Sequence, residues 1–195
     1  MVLSPQTETN NEKSIVAGLG GRSIVFIGLM GAGKTAIGRT TAHELGLPFA
    51  DSDHEIEHVS RMTIPELFEE YGEAEFRSLE RRVIARLLKS GPGVVSTGGG
   101  AFMNDTTRRA IKKKGISVWL KADLDTLMNR VMRKQNRPLL KNPNPRGVME
   151  ELIEKRYPVY SQADITIQTR EDRKEVITAE VVNAIAEYLN STAPK

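Results

Sequence analysis

The stretch Gly28-Leu29-Met30-Gly31-Ala32-Gly33-Lys34-Thr35 constrains this chain more than any other. It satisfies G-x-x-x-x-G-K-[ST], follows the short apolar run Ser23 to Ile27, and leads into a helical pattern that starts near Ala36. Glycines in such a turn let successive backbone N–H groups, together with the N-terminus of the next helix, converge on phosphate oxygens. By accident the pattern would occur in about one chain of this length in a hundred, before either flank is required. It therefore predicts ATP seated on Gly31, Ala32, Gly33, Lys34, Thr35 and Ala36. Lys34 reaches the β- and γ-phosphates, and the Thr35 hydroxyl is a ligand of one Mg2+ ion.

Beyond this loop, short β-branched runs alternate with longer amphipathic stretches, the pattern of repeated β-α units around a parallel sheet. The predicted strands are Ser23 to Ile27, Pro48 to Asp51, Val94 to Thr97, Ile116 to Leu120 and Asp164 to Ile167. Thr63 and Glu66 have the spacing of a capping box, a long helix is expected from about Ala74 to Lys89, and Asp123 can cap a helix over Leu124 to Lys134. Residues 1–22 read as a flexible tail, because Ser4 to Ser14 holds too little apolar material to order itself. Residues 23–195 read as one domain, a size that buries a real core. Gln135 to Arg146, with Pro138, Pro143 and Pro145, is expected to be irregular and to form a mobile lid over about residues 133–146.

Composition excludes several classes. The chain has 195 residues, no cysteine and a formal charge of +3 with both signs interleaved, and only 5% of its residues are aromatic. There is no disulfide framework or thiolate chemistry, and no basic stripe of the kind that binds nucleic acid. No apolar run is long enough for a bilayer and no secretory leader opens the chain, so a cytoplasmic protein without a membrane partner is expected.

Further chemistry gathers where the strands end, the edge at which open α/β sheets bind ligands. Asp51 and Asp53 close the second strand: one can reach magnesium or its water, and the other can take a proton from a hydroxyl, although Asp53 would also serve as a helix cap. Thr97-Gly98-Gly99-Gly100 closes the third strand, where many phosphate-loop proteins carry an aspartate; the bare backbone there suits close approach of a ligand. Arg156 shares a helical stripe with Met149, Leu152, Ile153 and Tyr160, so its charge points where that helix is apolar and should meet an anion. Arg77 stands one turn after Glu73, so a simple ion pair and an anion site both remain open for it. Arg137, beside Pro138, can either face solvent or swing onto the phosphates. His54-Glu55-Ile56-Glu57-His58 matches the zinc-peptidase pattern H-E-x-x-H, but no third ligand stands at a suitable spacing, and two exposed histidines on an acidic helix account for it.

In order and spacing, GLMGAGKT, DSD, EAEFR, TGGGA, RPLL and KRYPVY resemble shikimate kinase over about Ser23 to Ile167. The resemblance implies a three-layer αβα fold of the nucleoside-monophosphate-kinase type, with a five-stranded parallel sheet and a lid. It also implies ATP- and Mg2+-dependent phosphorylation of the 3-hydroxyl of shikimate, a step toward chorismate and the aromatic amino acids. Asp53 would bind the acceptor, receiving the reacting hydroxyl as base or orienting group. Arg77 and Arg156 would clamp its carboxylate, with Gly98, Gly99 and Gly100 offering backbone. Lys34 and Arg137 would neutralise the moving phosphoryl group, Thr35 and Asp51 would serve the metal, and the nucleotide would also meet Arg133 and Arg173. The family's adenine-covering arginine would be Arg130 or Arg133. A monomer is expected. Three other classes remain for comparison: a different small-molecule kinase such as a gluconate kinase, a non-catalytic nucleotide-binding module, and a zinc peptidase.

Overall fold

The computed structural model describes residues 5–133 and 142–192. Its centre is a parallel sheet of five strands: β1 (Ser23–Ile27), β2 (Phe49–Asp51), β3 (Val94–Ser96), β4 (Gly115–Lys121) and β5 (Ile165–Gln168), in the order β2-β3-β1-β4-β5. All four pairings are parallel. Every residue of β1 and all but the last of β4 are buried, which is why these strands read as unbroken apolar runs: helices cover both faces. The predicted strands match these spans to within a residue or two at each end.

The covering helices are α1 (Pro5–Leu19), α2 (Lys34–Glu44), α3 (Ser52–Ser60), α4 (Ile64–Lys89), α5 (Asp105–Lys114), α6 (Leu124–Met132), α7 (Pro145–Tyr160) and α8 (Lys174–Thr192). The capping box at Thr63 and Glu66 forms at the head of α4. The same helix is broken at Gly72 (φ 75°, ψ 174°), so its regular second half begins close to the predicted Ala74. Both halves of α4 close with α3 over a small apolar cluster, Ile56, Leu67, Phe76 and Val83.

Two expectations are corrected. Residues 5–19 are helical rather than a flexible tail. Ile15 and Leu19, one turn apart, are buried in the main core, Val16 packs on it, and Gly18 lets α8 approach to where a Cβ would meet Leu189 Cδ1 at 3.2 Å. The order comes from these last apolar residues, outside the polar stretch on which the tail reading rested. The irregular segment is also shorter than expected: Pro145 and Arg146 open α7, with Pro145 in the first turn, where its missing N–H costs nothing, and the Asn144 side chain accepting from Gly147 N at 3.0 Å. Residues 134–141 of the expected lid, with Arg137 and Pro138, lie outside the described residues.

Candidate active site

Parallel strands bring the ends of β1, β2 and β3 to one edge of the sheet, and the helices that follow start there. Between β1 and α2 the loop winds through Gly31 (φ 85°) and Gly33 (φ 97°), the latter in the left-handed conformation at the cap of α2. Lys34 folds back, donating from Nζ to Gly28 O at 2.9 Å and Leu29 O at 3.0 Å. A cleft of about 510 Å3 opens over this loop, bordered by Lys34, Thr35, Asp51, Asp53 and Gly99 at one end and by Arg130, Thr169 and Ile177 at the other.

Asp51 organises the phosphate side of the cleft. Its Oδ2 accepts from Thr35 Oγ1 at 2.8 Å, and its Oδ1 accepts from Asp53 N at 3.0 Å, so one carboxylate both caps α3 and faces the loop threonine. Ser96 Oγ lies 3.5 Å from Thr35 Oγ1. This all-oxygen donor set suits a hard divalent cation. Among the described residues no group of three or more His, Cys, Asp and Glu could cage a metal alone. The H-E-x-x-H residues do other work: His54 and His58 are exposed, Glu55 pairs with Arg86 at 2.5 Å, and Glu57 accepts from Ile64 N at 3.1 Å.

Beyond Asp51 the acceptor end is made of side chains from separate elements gathered around Gly98 to Gly100. A Cβ on Gly98 would stand 2.7 Å from Asp53 Oδ1 and 2.9 Å from Glu80 Oε1; one on Gly100 would stand 2.6 Å from both terminal nitrogens of Arg77; one on Gly99 would stand 3.3 Å from Arg156 Nη1. None of the three glycines has a positive φ. What a side chain at each would meet is a charged group, and backbone freedom is not what is needed there. Gly98 N donates to the buried Ser52 hydroxyl at 3.1 Å, and Gly99 O accepts from Arg156 Nη1 at 2.9 Å and from Tyr160 OH.

Sequence reasoning missed Glu80. Its side chain is 2% exposed and holds Arg77 Nη1 at 2.8 Å, while Glu73 holds the other side of the guanidinium at 3.3 Å. The ion-pair reading of Arg77 is realised along its own helix, with Glu80 as a second partner, and its guanidinium lies against Gly100. The available signal was the i,i+3 spacing of Arg77 and Glu80. Tyr160 was visible only as part of the apolar stripe of α7, and Ser52 as the middle of DSD.

These charges shift one another. Burial, then the neighbouring Asp51, pushes the Asp53 carboxyl from 3.8 up to about 6, and Lys34 only partly offsets them. Burial also raises Glu80, against the pull of Arg77 and Arg156. An acid poised near neutrality beside a phosphate loop is what proton removal from a hydroxyl needs.

At the far end of the cleft, Arg133 is 69% exposed and meets Glu171 at 3.5 Å while bordering it. Arg173 is exposed and stays off the cleft wall, which Asp172 and Lys174 form instead. Arg130 is turned inward onto the loop backbone.

The family model described as shikimate kinase matches residues 30–186. The chain belongs to the shikimate kinase family. A curated shikimate kinase of Mesorhizobium japonicum is 66% identical over 175 residues, covering 90% of this chain and 86% of its own. One from Rhizobium leguminosarum bv. trifolii is 60% identical over 177 residues, covering 91% and 90%. Among solved structures, shikimate kinase from Acinetobacter baumannii in complex with shikimate superposes with a TM-score of 0.84 at 36% identity, covering 93% of this chain and 99% of its own. Membership makes the chain a kinase and leaves the zinc-peptidase and non-catalytic readings without support. It also favours this family over the gluconate kinases. Among the described residues no helix is long and apolar enough to cross a membrane.

Proposed function

We propose that the chain transfers the γ-phosphoryl group of ATP to the 3-hydroxyl of shikimate, giving shikimate 3-phosphate and ADP. The observation that carries this reading is the convergence of Arg77 and Arg156 on adjacent glycines beside Asp53. Two guanidinium groups there can grip a ring carboxylate through charge-assisted hydrogen bonds, and that grip leaves one hydroxyl facing the phosphate loop. The hydroxyl oxygen bonds to the γ-phosphorus, the bond from phosphorus to the β,γ-bridging oxygen breaks, ADP leaves, and the hydroxyl proton passes to the Asp53 carboxylate.

Lys34 sits on the loop it must serve and turns from the Gly28 and Leu29 carbonyls to the β- and γ-phosphates. Arg137, outside the described residues, supplies a second cation in the family pattern RPLL. Thr35 and Asp51 would hold magnesium or its water, and the metal, when bound, neutralises charge on the β- and γ-phosphates. Arg133 faces the nucleotide from the rim. The reading includes a monomer working in the cytoplasm, the compartment that a chain without cysteine fits.

The test is ADP production from MgATP with shikimate, with gluconate and with no acceptor, on wild type and Asp53→Asn. Shikimate-dependent turnover that the variant largely loses is the expected result. ATP-binding protein that gives no turnover with shikimate would sink the acceptor assignment, and turnover with gluconate alone would transfer the chain to the other class.

A further inference from the structure

Arg156 and Tyr160 stand one turn apart on α7 and donate to the same atom, Gly99 O: Arg156 from Nη1 at 2.9 Å, Tyr160 from its hydroxyl. The tyrosine is wholly buried, at 0% exposure. Its ring meets Phe102 edge-on with centroids 6.3 Å apart, and Trp119 edge-on at 6.0 Å. A phenylalanine would pack in the same way, so what the hydroxyl adds is its bond to Gly99. Burial pushes the phenol above its ordinary range, with Arg156 pulling the other way, and the group stays a neutral donor.

The carbonyls of the glycine run are all engaged. Gly98 O accepts from Ala101 N and Gly100 O from Met103 N, each at 3.1 Å, and Gly99 O is taken by α7. Among the described residues no acceptor takes the Gly99 N–H or the Gly100 N–H. Two successive open amides with Arg77 and Arg156 beside them suit an anion. The Gly99 carbonyl and the Gly100 N–H share one rigid plane and point opposite ways. With glycine on both sides, little in the chain itself stops that plane from turning over. A turned plane would set a carbonyl oxygen where the N–H had been, against an arriving carboxylate. Once Arg156 shares its guanidinium with the acceptor, Tyr160 is the donor that remains committed to Gly99.

We infer that Tyr160 is a positioning residue for the acceptor: its hydroxyl locks the Gly99–Gly100 peptide so that the Gly100 N–H stays open to the acceptor's carboxylate. The inference deepens the shikimate reading and rests on it. It gives a residue that packs as part of the apolar stripe of α7 a polar task at the site.

Tyr160→Phe removes the donor and keeps the ring. Initial rates of full-length wild type and variant are measured with shikimate and with the ring alcohol in which a hydroxymethyl group replaces the carboxylate, the latter read well below saturation. MgATP affinity, melting temperature and the emission of Trp119, the chain's one tryptophan, are followed in parallel. For shikimate, kcat/KM should fall roughly three- to thirtyfold, almost entirely through KM, the reach of one lost hydrogen bond. For the alcohol the loss should be about twofold at most, since an uncharged oxygen gains less from an N–H than a carboxylate does. MgATP affinity and Trp119 emission should stay as in wild type. Equal losses for shikimate and the alcohol would make the hydroxyl a general packing element and overturn the inference. An unchanged KM for shikimate would overturn it as well, and so would a variant that no longer folds, which would mark the bond as structural. Wild type that phosphorylates neither compound would remove the shikimate reading itself, and the inference with it.

Discussion

The two ends of the cleft are built on different plans. At the phosphate end one continuous stretch, Gly28 to Thr35, supplies backbone, lysine and hydroxyl together, and the sheet need only present it. At the acceptor end the working groups come from α3, α4, α7 and the β3 connection, and each is held by another: Asp53 by its crowding against Gly98, Arg77 by Glu73 and Glu80, Arg156 by Gly99 O. A local site can be recognised as a string. A dispersed one becomes visible only when the chain folds, and its members lose independence in exchange for pre-organisation.

The sharpest way to break the comparison is Asp53→Asn, which should leave both substrates bound yet lower kcat by roughly a hundred- to ten-thousandfold, the usual reach of a lost general base. The same variant reports on stability with a definite sign. Folding raises this carboxyl from 3.8 to about 6, so the folded state holds the proton more tightly than the unfolded state, and stability contributed by the group falls as pH rises between those values. Asp53→Asn should therefore melt higher than wild type at pH 7.5, by up to about 3 kcal/mol of unfolding free energy, with the gap closing near pH 4. In wild type, acceptor-dependent kcat/KM should fall below about pH 6 with unit slope, read from initial rates across pH.

Smaller effects should divide cleanly between the ends. Arg77→Ala should raise the KM for shikimate by roughly ten- to hundredfold without changing ATP affinity, and should lower the melting temperature because Glu80 is then buried without its cation. Thr35→Val should do the reverse, weakening the magnesium dependence of turnover severalfold while shikimate still binds; titrating magnesium against rate checks it. Least of all should activity respond to Leu19→Asp in α1, a change that places a charge in the core and should cost about 2–4 kcal/mol of stability, read by denaturant unfolding. If Arg77→Ala weakened both substrates equally, the division into two plans would fail.

This contrast also explains what the sequence disclosed. The strands were legible because burial on both faces writes them as apolar runs, and the phosphate loop because its residues are contiguous. Arg156 was legible as a charge on an apolar stripe. Glu80 was hidden because a glutamate among α4 arginines looks like any surface ion pair; only packing shows it 2% exposed, with Oε1 lacking a hydrogen-bond partner among the described residues. The helix at residues 5–19 was hidden for the opposite reason: its anchors Ile15 and Leu19 are few, and their partner on α8 lies far along the chain.

The glycine run carries a consequence for how such a site can change over time. Since no positive φ demands glycine at Gly98, Gly99 or Gly100, alanine is conformationally acceptable at each and is barred only by the side chain opposite. Gly100 and Arg77 are therefore coupled: alanine at position 100 would have to displace the guanidinium that Glu73 and Glu80 hold, and meets no such obstacle once the arginine is gone. A change at either position is therefore felt at the other, however freely the surrounding surface drifts.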